Sequence, residues 1–466
     1  MKPVAVVLLS LASAACNSLH QVDPAEVPPP NIIAIVADDL GYGDLGCYGQ
    51  KDILTPSLDR MAAEGMRFTN FYAGSTVCAP SRATLMTGLH TGHTSIRGNN
   101  KLALKSSTVT MADILKSAGY RTGLIGKWGL GDVGSTGEPN LQGFDYFYGY
   151  LNQTHAHNYY PEFLFRNRDQ VPLGNILPEP KREDGAGVAI KKRHYSHDLI
   201  AEEALQFVSK EEPFFLALMF TIPHANNEAL SKGMEVPDYG VYTHKDWTEA
   251  RKGHAAMISR MDADIGKLLA KLRKIGADDN TVVLFTSDNG PHREGGYDPT
   301  SNNSNGLLRG IKRDLYEGGI RVPLIARWIN RIAPGSVSDR IGAFWDLLPT
   351  FAEFAGADTP DGLDGISMAG TLVGSEVDSD DKRFLYWEFH EGEASKQAIR
   401  VGNWKGVRLA PNKPIELYNV DKDLGETTDV ASTNLDVVHT IEQYLQTART
   451  ESESYPLRLA NSIDTK

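Results

Sequence analysis

Asn31-Ile32-Ile33-Ala34-Ile35-Val36-Ala37 is an almost unbroken apolar run that stops on Asp38-Asp39. A strand with one wet face alternates apolar and polar residues, whereas a continuous run fits a strand covered on both faces, as in a parallel sheet. Three further runs end the same way: 121–125 before Gly126-Lys127, 214–222 before Pro223-His224, and 281–286 before Ser287-Asp288-Asn289. Between them lie helix-like stretches at 57–64, 111–118, 197–208 with Ser196 as N-cap, and 254–274. This alternation predicts an α/β fold with a large, mostly parallel central sheet flanked by helices. Ligands of such sheets bind beyond the carboxyl ends of the strands, so the polar residues after these four runs are expected to meet in one crevice.

The 466 residues allow two or three domains, or one large α/β domain with a smaller companion. An apolar fraction of 41% with 44 glycines fits a globular chain and excludes wholesale disorder. Forty-seven basic against 59 acidic residues give a net charge of −12 with no concentrated basic patch, so nucleic acid is excluded as a partner. Past residue 379, short strand patterns at 384–389, 398–401, 404–409 and 416–418 precede a helix pattern at 435–449. They predict a small α+β domain with a short antiparallel sheet over 379–466, after a main domain over 31–378.

Lys2, the apolar stretch 4–11 and the small residues up to Cys16 form a secretory signal over 1–16, too short to span a bilayer. Ala12-Ser13-Ala14 suits ordinary cleavage, whereas Ala14-Ala15-Cys16 resembles a bacterial lipobox with a lipid anchor at Cys16. Residues 17–30, with Pro24, Pro28, Pro29 and Pro30, read as a linker. The expectation is an exported bacterial protein, periplasmic or anchored to the outer membrane as a lipoprotein. Only Cys16, Cys47 and Cys78 are present, so no disulfide framework is available.

Cys78-Ala79-Pro80-Ser81-Arg82 is followed by Thr87-Gly88. Three residues between Cys78 and Arg82 exclude the cysteine-phosphatase loop, which needs five. The segment resembles the type I sulfatase signature, and the resemblance continues from about residue 31 to about residue 440. It implies an alkaline-phosphatase-like sandwich, and oxidation of Cys78 by a maturation enzyme to formylglycine, with Pro80 and Arg82 as part of the recognised sequence. The chemistry fits sulfate esters. One hydroxyl of the hydrated aldehyde attacks sulfur, and the second, once deprotonated, expels sulfate as the aldehyde re-forms.

Asp38, Asp39, Asp288 and Asn289 offer hard oxygen donors, which select Ca²⁺ or Mg²⁺, and a large flexible shell favours Ca²⁺. The resemblance implies the same four residues as calcium ligands, with oxygens of the residue derived from Cys78 completing the shell. Lys127, in Gly126-Lys127-Trp128-Gly129-Leu130-Gly131, matches a family lysine that clamps sulfate, but Gly129 stands where most relatives carry histidine. His155 and His157 are candidates to take over that contact or to bind substrate, and His390 with Glu391 could reach the leaving sugar. His224 and Lys312 match the family's P-H element and its lysine. His224 is the first choice as general acid on the departing alcohol, and Lys312 the second. Arg82 can neutralise anionic oxygens. Tyr316-Glu317-Gly318-Gly319-Ile320-Arg321 also resembles the family and reads as structural, with glycines in a tight turn and Arg321 paired internally.

The expected function is a calcium-dependent sulfatase, arylsulfatase-like, that removes sulfate from sulfated carbohydrates through a covalent formylglycine sulfate. Two alternatives remain: a phosphonate or phosphodiester hydrolase using the same modified cysteine, and a glycan-binding surface lipoprotein that has lost catalysis.

Overall fold

Every residue of β1 (Asn31–Ala37) is buried. Its side chains alternate between two cores. Ile33, Ile35 and Ala37 pack towards α1 (Pro56–Ala63), α4 (Ser196–Phe207) and α5 (Glu249–Ile275). Ile32, Ala34 and Val36 pack towards α2 (Cys78–Thr87), α3 (Met111–Ser117) and α7 (Leu347–Ala355). The unbroken apolar run is thus the consequence of helices on both faces. The computed structural model describes residues 28–210, 213–375 and 383–461. The signal segment, Cys16, most of the linker and the boundary placed after residue 378 lie outside these residues.

The main sheet has ten strands. Besides β1 they are β2 (Met66–Phe68), β4 (Arg121–Lys127), β5 (Tyr146–Tyr150), β6 (Phe163–Arg166), β7 (Asp169–Pro172), β8 (Phe214–Met219), β9 (Thr281–Ser287), β10 (Leu324–Arg327) and β11 (Ser336–Ser338), while β3 (Phe71–Tyr72) pairs apart with β12 (Gly342–Ala343). Their order is β11-β2-β10-β9-β1-β8-β4-β5-β6-β7. The four runs read from sequence are the adjacent strands β9, β1, β8 and β4, all parallel. Strand β10 is antiparallel to β9, and β6 and β7 close the other edge as an antiparallel hairpin.

Some boundaries differ from the sequence pattern. Strand β4 continues through Gly126 to Lys127, because β5 pairs with it there. Ser196 is the first helical residue of α4 rather than its cap, and Tyr195 holds the cap position without a side-chain bond. Helix α5 starts at Glu249, where the Thr248 hydroxyl accepts from the Arg251 N–H at 3.3 Å, so its polar first turn precedes the apolar periodicity.

The C-terminal strands β13 (Phe384–Phe389), β14 (Lys396–Val401), β15 (Trp404–Arg408) and β16 (Glu416–Asn419) form an antiparallel sheet in that order. One face carries α9 (Leu435–Thr447) through Ile441 and Leu445. The other packs Leu385, Trp387, Phe389 and Val407 against Tyr72, Val77, Leu315 and Ile320. The C-terminal sheet therefore backs the segments on either side of the crevice, including the residue just before Cys78.

Candidate active site

Three strand ends and one helix start supply the site. Asp38 and Asp39 follow β1, Lys127 ends β4, and Asp288 and Asn289 follow β9. Asp39 turns the chain at φ 64°. Cys78 is the first residue of α2, whose residues are all buried, and Arg82 lies one turn on. The Cys78 Sγ is 3.3 Å from Asp38 Oδ1, and Lys127 Nζ donates to Asp38 Oδ2 at 2.6 Å. Arg82 Nη2 donates to Asp288 Oδ2 at 2.9 Å and Nη1 to the Lys127 carbonyl at 2.7 Å. Lys312 Nζ donates to Asp39 Oδ2 at 2.9 Å. Three carboxylates thus face three cations in a place that water scarcely reaches.

Burial alone would raise the Asp38 carboxyl, but Lys127, with Arg82 and Lys312, holds it well below the usual range. Asp288 goes the other way: burial and the neighbouring Asp38 push it up to about 7. Burial, then Asp38, pushes the Cys78 thiol well above its ordinary value. A plain thiol here is protonated and a poor nucleophile.

The donor set suits a hard cation. Asn289 Nδ2 donates to Asp39 Oδ1 at 2.7 Å, which leaves the amide oxygen of Asn289 buried without a partner beside the three carboxylates. An orphaned amide oxygen next to clustered carboxylates is what an oxygen-liganded divalent ion satisfies.

His224 follows β8 and is 3% exposed. Its Nδ1 is 2.6 Å from the Ala225 carbonyl, which can only accept, so Nδ1 carries the proton and Nε2 presents a lone pair to Lys312 Nζ at 3.1 Å. Burial, followed by Lys312, holds the imidazole well below its ordinary value, so it is neutral.

The three further histidines occupy different surroundings. His157 stacks on His224, with centroids 4.9 Å apart, and its Nδ1 lies 3.3 Å from Glu228. His155 packs between Tyr150 and Phe163 at 1% exposure, where burial lowers it to about 4. Both nitrogens of His390 are engaged, by Glu388 at 2.9 Å and Ser395 at 3.1 Å, while Glu391 lies 3.3 Å from Arg313. Only His157 of the three histidines lies against the carboxylate and cation cluster.

Sequence reasoning passes over Glu294, which lies 3.5 Å from Lys312 and 2.7 Å from Arg313; its place in the loop after Asp288 is the only signal. It also passes over Gln153. Gly129 has φ +80°, and a Cβ there would meet Gln153 Nε2 at 2.0 Å, so the volume beside the 129 backbone belongs to a side chain from the loop after β5. Arg321 does pair internally, with Glu317 at 3.0 Å. Gly318 and Gly319, however, sit in α6 (Glu317–Ile320) rather than in a turn with positive φ. Glycine fits there because a Cβ would meet the Gly310 oxygen at 2.3 Å or the Asp314 oxygen at 2.0 Å. Cys47 and Cys78 are both free.

Comparison with known proteins agrees with this geometry. A family model described as sulfatase matches residues 30–357, and one described as N-sulphoglucosamine sulphohydrolase, C-terminal, matches 311–451. Arylsulfatase A of Homo sapiens is 32% identical over 468 residues, spanning 89% of this chain and 87% of its own. The N-acetylgalactosamine-6-O-sulfatase of Bacteroides thetaiotaomicron is 30% identical over 515 residues, spanning 93% of this chain and 96% of its own. The crystal structure of Ps i-CgsB in complex with k-i-k-neocarrahexaose superposes with a TM-score of 0.76 at 29% identity, covering 90% of this chain and 92% of that one. The fold is thus that of the solved carbohydrate sulfatases. With a carboxylate-rich crevice around Cys78 and a family match over most of its length, the chain belongs to the sulfatase family and is a sulfuric ester hydrolase.

Proposed function

We propose that this sulfatase removes sulfate from sulfated carbohydrates, with formylglycine made from Cys78 as its nucleophile and a calcium ion held by Asp38, Asp39, Asp288 and Asn289. The observation that carries the reading is the Cys78 thiol itself: buried, raised by its surroundings, 3.3 Å from a carboxylate and unsuited to attack as a thiol. Formylglycine at position 78 would supply a hydroxyl nucleophile for sulfur, and calcium held by these four residues would supply Lewis-acid polarisation of the sulfate oxygens.

The chain's own residues do the rest. Arg82, Lys127 and Lys312 hold the sulfate oxygens and balance the carboxylates, which lets a protein of net charge −12 bind an anion. His224 and Lys312 act as one proton-carrying pair. The Nδ1 proton of His224 is committed to Ala225, so the transferable proton lies on the Lys312 Nζ–His224 Nε2 line. On this reading the two residues share the acid role, for which His224 is the first and Lys312 the second candidate from sequence. His157, oriented by Glu228, offers its remaining ring edge to a substrate hydroxyl. His155 acts by packing, and His390 through its bonds to Glu388 and Ser395.

Carbohydrate as the substrate class is supported by the relative named for N-acetylgalactosamine-6-O-sulfate and by the structural neighbour complexed with k-i-k-neocarrahexaose. Export, with a lipid anchor at Cys16, would give access to such polymers. Cys78 and Arg82 are 2% and 1% exposed, so the maturation enzyme must act before the chain folds.

Mass spectrometry of the Cys78 peptide followed by assay on a panel of defined sulfated saccharides tests this reading. Sulfate release from at least one saccharide is expected, with aryl sulfate preferred over aryl phosphodiester. A large preference for the diester, or binding without turnover by fully converted protein, would overturn it. His224→Ala should slow poor leaving groups by about 10²–10⁴ and activated aryl sulfates much less, whereas Lys312→Ala, which also removes a sulfate contact, should slow both. Equal losses on both substrate types in His224→Ala would move the acid role elsewhere.

A further inference from the structure

Behind the crevice lies a buried ionic cluster that none of the chemistry above uses. Lys405, on β15, and Glu317 and Glu426 are each 0% exposed. Lys405 Nζ lies 2.9 Å from Glu317 Oε1 and 3.0 Å from Glu426 Oε1, off the line of a good hydrogen bond, so the attraction is ionic rather than directional. The second oxygen of Glu317 accepts from the Tyr72 hydroxyl at 2.7 Å and from Arg321 at 3.0 Å. The second oxygen of Glu426 accepts from the Glu317 backbone N–H at 2.6 Å, and Glu426 is held at φ 49°, a region few non-glycine residues adopt. Two carboxylates therefore share one ammonium across the junction of main and C-terminal sheets, and they fix the first residue of α6.

Helix α6 is in turn the wall of the site. The Gly290 N–H donates to the Gly319 carbonyl at 3.0 Å, and a Cβ on Gly290 would meet the Gly318 oxygen at 1.8 Å, so the loop carrying Asp288 and Asn289 rests directly on α6. The Gly318 N–H donates to Arg309 O at 2.6 Å, at the base of the loop that carries Lys312. The Ala73 N–H donates to Ile320 O at 2.8 Å, on the path from β3 to Cys78. Ligand loop, lysine loop and nucleophile segment thus share a short helix that lacks the length to hold itself.

We propose that Lys405 and Glu426, from the C-terminal region, are positioning residues that set the calcium ligands Asp288 and Asn289 through α6. The inference rests on the calcium reading above and extends it to residues that touch neither metal nor substrate. A free helix end would let the ligand loop relax, and site geometry depends on such support.

Isothermal titration of metal-free protein with calcium, in parent, Lys405→Met and Glu426→Gln, tests it. Melting temperatures are recorded in chelator and in saturating calcium. Calcium should bind at least tenfold more weakly to each folded variant, and the calcium-induced rise in melting temperature should shrink. If Lys405→Met fails to fold, Glu426→Gln, which keeps the shape and removes one charge, decides the matter. Variants that melt lower yet bind calcium within twofold of the parent would make the cluster merely structural and overturn the proposal. A parent that takes up no calcium defeats the metal assignment, and with it this proposal; equal binding by parent and variants defeats only the role of Lys405 and Glu426.

Discussion

Cys78→Ala is expected to lose roughly four orders of magnitude or more in kcat/KM, the scale seen when a covalent nucleophile is removed. The fold should survive. Cys78 fills a small buried volume at the start of α2, and trimming one small atom from a core typically costs about 1–2 kcal/mol. That amounts to a few degrees of melting temperature. Protein made without the maturation enzyme should be as inactive as the alanine variant, because the burial and the Asp38 carboxylate that raise the thiol leave nothing to attack with. An aryl sulfate assay with matched melting curves and the mass of the Cys78 peptide reads all three outcomes. Activity within tenfold of the parent in Cys78→Ala would sink the mechanism.

The sequence was most informative where one physical constraint wrote directly into the residue pattern. Burial on both faces forces β1 to be apolar at every position, and the change to Asp38-Asp39 marks where the strand leaves the core; the same logic located Lys127 and Asp288. The reach of a loop after its strand is not written this way. Nothing near His224 announces that Lys312, 88 positions later, will face its Nε2, and so the proton inventory of the pair emerges only from the fold. Gln153 filling the space beside Gly129 is a contact between two loops, and Gln153 carries no local mark. The glycines at 318 and 319 show the converse. The residue type was right but the reason differed, since close approach by other backbone selects glycine as surely as a left-handed turn does. Lys405 is the extreme case, a lysine in a strand that looks like a solvated face until the opposing carboxylates are seen.

The second large effect belongs to Asp288→Ala, which should remove calcium binding and activity together. In the metal-free protein Asp288 sits among Asp38 and Asp39 and is pushed up to about 7 by burial and by Asp38, so its charge is only partly offset by Arg82 at 2.9 Å. Truncation relieves that crowding but leaves Arg82 with the Lys127 carbonyl at 2.7 Å and a looser contact to Asp38 at 3.6 Å. The two effects oppose each other, and the net change in metal-free stability should stay below the roughly 3–5 kcal/mol typical of breaking a buried ion pair. The calcium-bound state is where the variant differs from the parent. A ligand at a hundred times its Kd stabilises by about 2.7 kcal/mol, so the parent should melt higher in calcium than in chelator, and Asp288→Ala should show almost no such rise. Turnover should fall by roughly 10³ or more, since the cation is lost and Arg82 gives up its shortest carboxylate contact. Paired melting curves with an aryl sulfate assay separate these contributions. A variant that gains as much from calcium as the parent would remove Asp288 from the ligand set and leave Asp38, Asp39 and the orphaned oxygen of Asn289 to account for the ion.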